Sequence, residues 1–366
     1  MYDPHSGINT KKLNQVAKEL VTNGKGILAI DESPGSIEKK FIKHELENTE
    51  ENRRKYRECL ITTPELSKTI SGVILHGETF FQKRQSDGKK FVEILKESGI
   101  HPGIKLDLGL EHISYENCES RAEKIGDKTS KYIKFQTTHN FLETHIEKVP
   151  KGLDTLDERL KTGEFKDATF AKWRCVFSIT EFTPTFEALH KNCDILAKYA
   201  AICQKYEIVP ILEPEILFNG SFSIEEHFRI FKIVLSTLVT KLNKENVYMP
   251  GVIFKTGFVT SGDAAQDFDK QEVAVLTHDV FTSVLPLDVA GVVFLSGGHS
   301  YQNSVDFLEA ICQMPKHLDL SFSYGRGLTD GAMTEWKTSN FDTEKTQTVF
   351  KKACEEVSSA SVQKLK

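Results

Sequence analysis

The chain has 366 residues, 39% hydrophobic and 27% charged, with a formal net charge of −5. That length exceeds a small domain, and the composition is ordinary for a water-soluble globular protein. Slight acidity gives no reason to expect nucleic acid or a membrane as the main partner, so any basic site must be local. The seven cysteines are scattered, odd in number and without a CxxC pair, which reads as a reduced cytosolic protein. Met1-Tyr2-Asp3-Pro4-His5 has no apolar signal core, and no apolar run approaches a membrane span, so a cytoplasmic location is expected.

In chain order, residues 11–22 carry Leu13, Val16, Ala17, Leu20 and Val21 at helical spacing. Gly26-Ile27-Leu28-Ala29-Ile30 follows as a buried strand ending in Asp31-Glu32-Ser33. The second strand, Gly72-Val73-Ile74-Leu75, ends at His76, and the third, Gly103 to Asp107, bears two charges. Phe170 to Phe177 is the fourth strand and Val209 to Glu215 the fifth. Gly251-Val252-Ile253-Phe254 is the sixth, and it runs into Lys255. Ala290 to Leu295 ends at Ser296-Gly297-Gly298, and Leu320 to Tyr324 ends at Gly325-Arg326. Between them, residues 184–206 place Phe186, Leu189, Cys193, Leu196, Ala197 and Ala200 on one helical face. Ser223 with Glu226 forms a capping box that opens another helix, and residues 303–314 repeat the pattern. Eight strands alternating with helices, mostly about 30–45 residues apart, have the rhythm of a (β/α)8 TIM barrel in a single α/β domain. The interval between strands three and four is too long, and residues 121–152 read as a lysine-rich surface insertion with a short strand or hairpin at Tyr132 to Phe135.

Ionisable residues fall where a barrel puts its active site. An ammonium at the end of a buried strand loses hydration, which favours the neutral, nucleophilic amine, so Lys255 is the candidate Schiff-base lysine. Period two places Lys172 with Arg174, Glu213 with Glu215 and Lys105 with Asp107 on shared faces. Charge is costly to bury unpaired, so these groups and Asp31 are expected to converge at the barrel mouth as catalyst and proton carriers. Loops after strands seven and eight of barrels frequently hold a phosphate, and here they offer Ser296, Gly297, Gly298, Ser323, Gly325 and Arg326. No Walker A, GxGxxG, HExxH, GxSxG or Cys/His zinc spacing occurs, so neither a metal nor a cofactor is implied.

These residues resemble the class I fructose-bisphosphate aldolases over nearly the whole chain. The likeness rests on Gly24 to Ser33, Glu47 to Arg54, Phe170 to Cys175, Val209 to Glu215, Phe294 to Gly298 and Phe322 to Arg326. It implies a glycolytic lyase that reversibly cleaves fructose 1,6-bisphosphate to dihydroxyacetone phosphate and glyceraldehyde 3-phosphate. Lys255 would form the Schiff base at C2. Glu213, supported by Lys172 and Glu215, would dehydrate the carbinolamine, and Asp31 would take the C4 hydroxyl proton. Ser296, Gly297, Ser323, Gly325 and Arg326 would hold the C1 phosphate. Ser33, Ser36 and Lys105 would hold the C6 phosphate, and Arg174 joins the substrate-binding set. The resemblance also implies a homotetramer and a cytoskeletal partner beside the phosphosugar. A transaldolase is the nearest alternative enzyme, but two phosphate-binding groups argue for a bisphosphate. A pure scaffold protein is argued against by the intact catalytic set.

Three departures stand out. Thr256-Gly257 follows the lysine where animal members read Pro-Asn. Lys40 stands where an arginine is expected, so C6-phosphate binding is expected to be weaker or differently shaped. The chain stops at Val362-Gln363-Lys364-Leu365-Lys366 without the family's tyrosine-ending tail, so slow protonation of the enamine is expected, with Tyr324 the first substitute to test.

Overall fold

The apolar runs form eight parallel strands: β1 (Gly26–Ile30), β2 (Ile70–Leu75), β3 (His101–Lys105), β4 (Phe170–Phe177), β5 (Val209–Ile216), β6 (Ile253–Thr256), β7 (Gly291–Phe294) and β8 (Leu320–Tyr324). They close in the order β1-β8-β7-β6-β5-β4-β3-β2, with β2 returning to β1. The structure is a computed structural model that describes residues 5–113, 147–265 and 268–363. Its helices are α1 (Thr10–Leu20), α2 (Pro34–Lys43), α3 (Glu50–Ile61), α4 (Gly77–Phe81), α5 (Phe91–Glu97), α6 (Leu156–Lys161), α7 (Phe186–Lys205), α8 (Ile224–Lys244), α9 (Lys270–Val284), α10 (Tyr301–Cys312), α11 (Arg326–Thr338) and α12 (Thr343–Ala360). Strands and helices alternate as expected for a (β/α)8 barrel.

Two apolar layers hold the barrel. Outside, the helices cover the outward strand residues in one large core. Inside, Ile27, Ala29, Ile74, Phe170, Ile211, Ile253 and Val293 pack together, and α1 plugs this floor with Leu13, Val16, Ala17 and Leu20. The interior is filled by pairing large with small residues. The Phe170 ring occupies the space beside Gly103, where an added Cβ would lie 2.2 Å from ring carbon Cζ.

The Ser223 capping box forms as read: Ser223 Oγ accepts from Glu226 N at 3.2 Å and Glu226 Oε2 accepts from Ser223 N at 2.9 Å. One inward assignment was misplaced. Phe186 is the first residue of α7 and is 77% exposed, its ring packed on His190, because the first turn of the helix overhangs the core that Leu189 and Leu196 reach. After β3, Leu110–His112 pairs antiparallel with Lys148–Pro150 in a ribbon too short to be read from sequence. The expected hairpin at Tyr132 to Phe135, and most of the 121–152 insertion, lie outside the described residues. Among the described residues no helix is long and apolar enough to cross a membrane.

Candidate active site

The inward face of each catalytic strand changes character along its length. On β1, Ala29 on the floor gives way to Asp31; on β4, Phe170 gives way to Lys172 and Arg174; on β5, Ile211 gives way to Glu213 and Glu215; on β6, Ile253 gives way to Lys255. Period-two geometry thus stacks charge above an apolar floor, at the C-terminal ends of the strands. These groups line one cavity of about 570 Å³.

Asp31, Lys172, Glu213 and Lys255 are each nine-tenths or more buried and form a connected chain of charge. Lys172 Nζ lies 2.7 Å from Asp31 Oδ2 and 3.1 Å from Glu213 Oε2. Lys255 Nζ lies 3.4 Å from the other carboxylate oxygen, Glu213 Oε1. Glu213 Oε2 meets Lys172 as an ion pair outside hydrogen-bond alignment, so that oxygen keeps a lone pair for a proton or a ligand. Arg174 faces Glu213 in register across β4 and β5, and its Nε donates a short bond to Glu215 Oε2.

Burial and charge oppose one another in this cluster, and charge wins. Burial alone raises the Asp31 carboxyl, but Lys172, with Lys255 and Lys105 behind it, pulls it well below the usual carboxylate range. Burial raises Glu213 likewise, and Lys172, Lys255 and Arg174 bring it below its ordinary value. Burial pushes the Lys172 ammonium down, while Asp31 and Glu213 more than restore it, so it titrates well above an ordinary lysine. Two ionised carboxylates flanking one fixed ammonium, with a second lysine alongside, make a route for protons beside an amine.

The two ends of the cavity carry anion-binding chemistry. At one end, α11 begins at Arg326 with no side-chain cap, which leaves first-turn amides free for an anion. Gly325 is required there, since a Cβ would stand 2.9 Å from Ala29 O of β1. Ser323 Oγ is buried without a hydrogen-bond partner, and no carboxylate among the described residues lies within ion-pair distance of Arg326. Ser296 and Gly297 complete this end. At the other end, Ser33 caps α2 by accepting from Ser36 N at 3.3 Å, and Lys105 Nζ lies 2.5 Å from Asp107 Oδ1. Fully buried Arg57 of α3 fixes the intervening loop by donating to Glu32 O and Thr79 Oγ1, both at 2.6 Å.

Gly298 is the exception among the expected site residues. It lines a neighbouring cavity of about 540 Å³, because the left-handed turn at Gly297 (φ +59°) and Gly298 (φ +100°) points successive residues to opposite sides. Tyr324 is fully buried, donates its hydroxyl to Ser304 O at 2.7 Å and does not line this cavity, so it is not placed as a proton donor there. Lys39 and Lys43 of α2, His44 just past its end and Asp330 of α11 also line the cavity, and the strand pattern carries no sign of them. Lys40 is committed to protein contacts: its Nζ lies 3.1 Å from Asp330, 3.5 Å from Glu32 and 2.9 Å from Thr329 Oγ1, tying α2 to α11. The one signal for the residues at α2 was a basic run at helical spacing behind the Ser33 cap, and Asp330 had none.

The family model described as class-I fructose-bisphosphate aldolase matches residues 12–138 and 131–366. The chain belongs to that family. Among relatives, a fructose-bisphosphate aldolase of Encephalitozoon cuniculi is 41% identical over 93% of this chain and 92% of its own length. Fructose-bisphosphate aldolase B of Homo sapiens is 37% identical over 93% and 87%. A solved aldolase from Plasmodium falciparum, in complex with TRAP and a small-molecule inhibitor, superposes with a TM-score of 0.85 at 37% identity over 98% of this chain and 96% of that one. The protein is therefore a carbon–carbon lyase of glycolysis, acting on fructose 1,6-bisphosphate. For an aldolase the dimensions are apt. The cavity falls within the size usual for small-molecule sites, roughly 300–1,000 Å³.

Proposed function

We propose that Lys255 is the Schiff-base nucleophile of this aldolase, with Glu213, Lys172, Asp31 and Glu215 holding and moving its protons. The observation that carries this reading is the buried contact between Lys255 Nζ and Glu213 Oε1 at 3.4 Å. Glu213 accepts a proton from Lys255, and the neutral amine attacks C2 of the ketose. Glu213 returns that proton to the carbinolamine hydroxyl, which leaves as water. The protonated imine then draws electrons from the C3–C4 bond while Asp31 takes the C4 hydroxyl proton. Glyceraldehyde 3-phosphate departs, and the enamine left on Lys255 gains a proton at C3. Water then hydrolyses the imine and releases dihydroxyacetone phosphate. Lys172 acts by position: its ammonium holds Asp31 and Glu213 on either side of the reacting carbons. Arg174, braced by Glu215, lines the middle of the sugar.

Ser296, Gly297, Ser323, Gly325 and Arg326 bind the C1 phosphate in this reading, and Ser33, Ser36 and Lys105 bind the C6 phosphate. The unpartnered Ser323 hydroxyl and the uncapped start of α11 support the first assignment. Family likeness further supports a cytoplasmic homotetramer with a cytoskeletal protein as an additional partner. The test is covalent trapping. Borohydride with dihydroxyacetone phosphate and EDTA should leave one stable adduct, mapped by mass spectrometry to Lys255. An adduct on Lys172 or Lys105, or loss of trapping on chelation, refutes the assignment.

A further inference from the structure

We propose that His299 is a positioning residue that seats the Ser296–Gly297 turn against the substrate phosphate; this rests on the C1-phosphate reading above. The turn contains two left-handed glycines, and its backbone is closed by one bond, His299 N to Ser296 O at 3.0 Å. Such a turn has many alternatives, since glycine is free on both sides of φ zero. The His299 ring removes them. It packs on Phe218 of the loop after β5 at 4.1 Å between centroids. Phe268, ahead of α9, meets it edge-on at 5.4 Å, and Phe307 of α10 does so at 5.3 Å. Phe218 also presses on the turn itself, 3.3 Å from where a Cβ on Gly298 would stand.

Among the described residues the imidazole reaches one polar neighbour. Nε2 lies 3.4 Å from Thr260 Oγ1, in the loop that follows β6 and Lys255. Thr260 is in turn held by His227 of α8, whose Nδ1 lies 2.8 Å from Thr260 O. The ring thus links the loops after β5, β6 and β7. Burial, with His227 nearby, holds His299 down to about 4, so it is neutral at working pH and offers the phosphate no charge. A neutral ring in an aromatic box is a prop for the turn, not a ligand. At 3.4 Å the Thr260 contact is at the limit of hydrogen bonding, so packing carries most of the effect.

Borohydride trapping separates a positioning role from a merely structural one, using ketones with and without phosphate. His299→Ala should raise the half-saturating concentration of dihydroxyacetone phosphate about tenfold, equivalent to about 1.4 kcal/mol, and leave that of unphosphorylated dihydroxyacetone unchanged. His299→Phe, which restores the ring packing without the Thr260 contact, should return the phosphate ketone to within threefold of wild type. If His299→Ala does not fold, His299→Leu fills the box without aromatic edges and should show the same split at about threefold. Equal changes for both ketones, no change for either, or no recovery in His299→Phe overturns the proposal. Arg326→Ala run alongside keeps the two readings apart. If it leaves dihydroxyacetone phosphate binding intact, the C1-phosphate site is wrong. If it weakens that binding while His299→Ala does not, only the role of His299 fails.

Discussion

Lys172 serves two carboxylates at once, Asp31 at 2.7 Å and Glu213 at 3.1 Å, and all three side chains are largely buried at the base of the cavity. Removing a partner from such a cluster is costlier than never having built it, on the order of 3–5 kcal/mol. Asp31 and Glu213 titrate below their ordinary values in the fold, so the stability they contribute is present above about pH 4 and is lost as pH falls through their folded values. In Lys172→Met the Asp31 carboxyl rises, because its nearest cation is gone while its burial remains. Burial raises a carboxyl, and a raised carboxyl destabilises the fold at neutral pH and less so when protonated. The stability gap between wild type and Lys172→Met should therefore be smaller at pH 5.5 than at pH 7.5 in urea unfolding. An equal gap at both would mean that Lys172 does not hold these charges.

The junction of β8 with α11 shows how an element makes a site. The strand delivers Ser323, Gly325 lets the chain pass Ala29 O, and the helix opens on Arg326 with free amides. If Arg326 binds the C1 phosphate as proposed, Arg326→Ala loses a charge-assisted contact worth roughly 1.5–3 kcal/mol, and kcat/KM for the bisphosphate should fall at least tenfold. Unchanged kcat/KM would put the C1 phosphate elsewhere. This junction was legible because a buried strand ending in polar residues states both its burial and its exit. The same holds for Lys255, Lys172 with Arg174, and Glu213 with Glu215, which period two sets on one face. Helix-borne contributions were not legible. Whether Lys40 meets a ligand or Asp330 depends on how α2 and α11 lie together, which no local pattern encodes. Gly298 was assigned to the sugar cavity for a similar reason: the composition of a glycine turn does not say which way each residue faces. Phe186 failed because helical period gives the face but not where the covered length begins.

Across the molecule the barrel sorts chemistry by height. Leu, Ile, Val and Phe side chains fill the floor over α1, and the charged layer lies above them. Lys255 on β6 and Asp31 at the end of β1 are three strands apart around the ring, yet both line one cavity. In the proposed mechanism they act on one substrate in sequence, Lys255 joining C2 and Asp31 freeing the electrons of the C4 hydroxyl. Asp31→Asn separates these steps, since an amide keeps the shape and cannot take the proton. Intact-protein mass spectrometry after borohydride trapping with fructose 1,6-bisphosphate reads them directly. Asp31→Asn should carry a six-carbon bisphosphate adduct on Lys255 with almost no three-carbon adduct, whereas wild type carries both. A three-carbon adduct in Asp31→Asn as abundant as in wild type would contradict the mechanism.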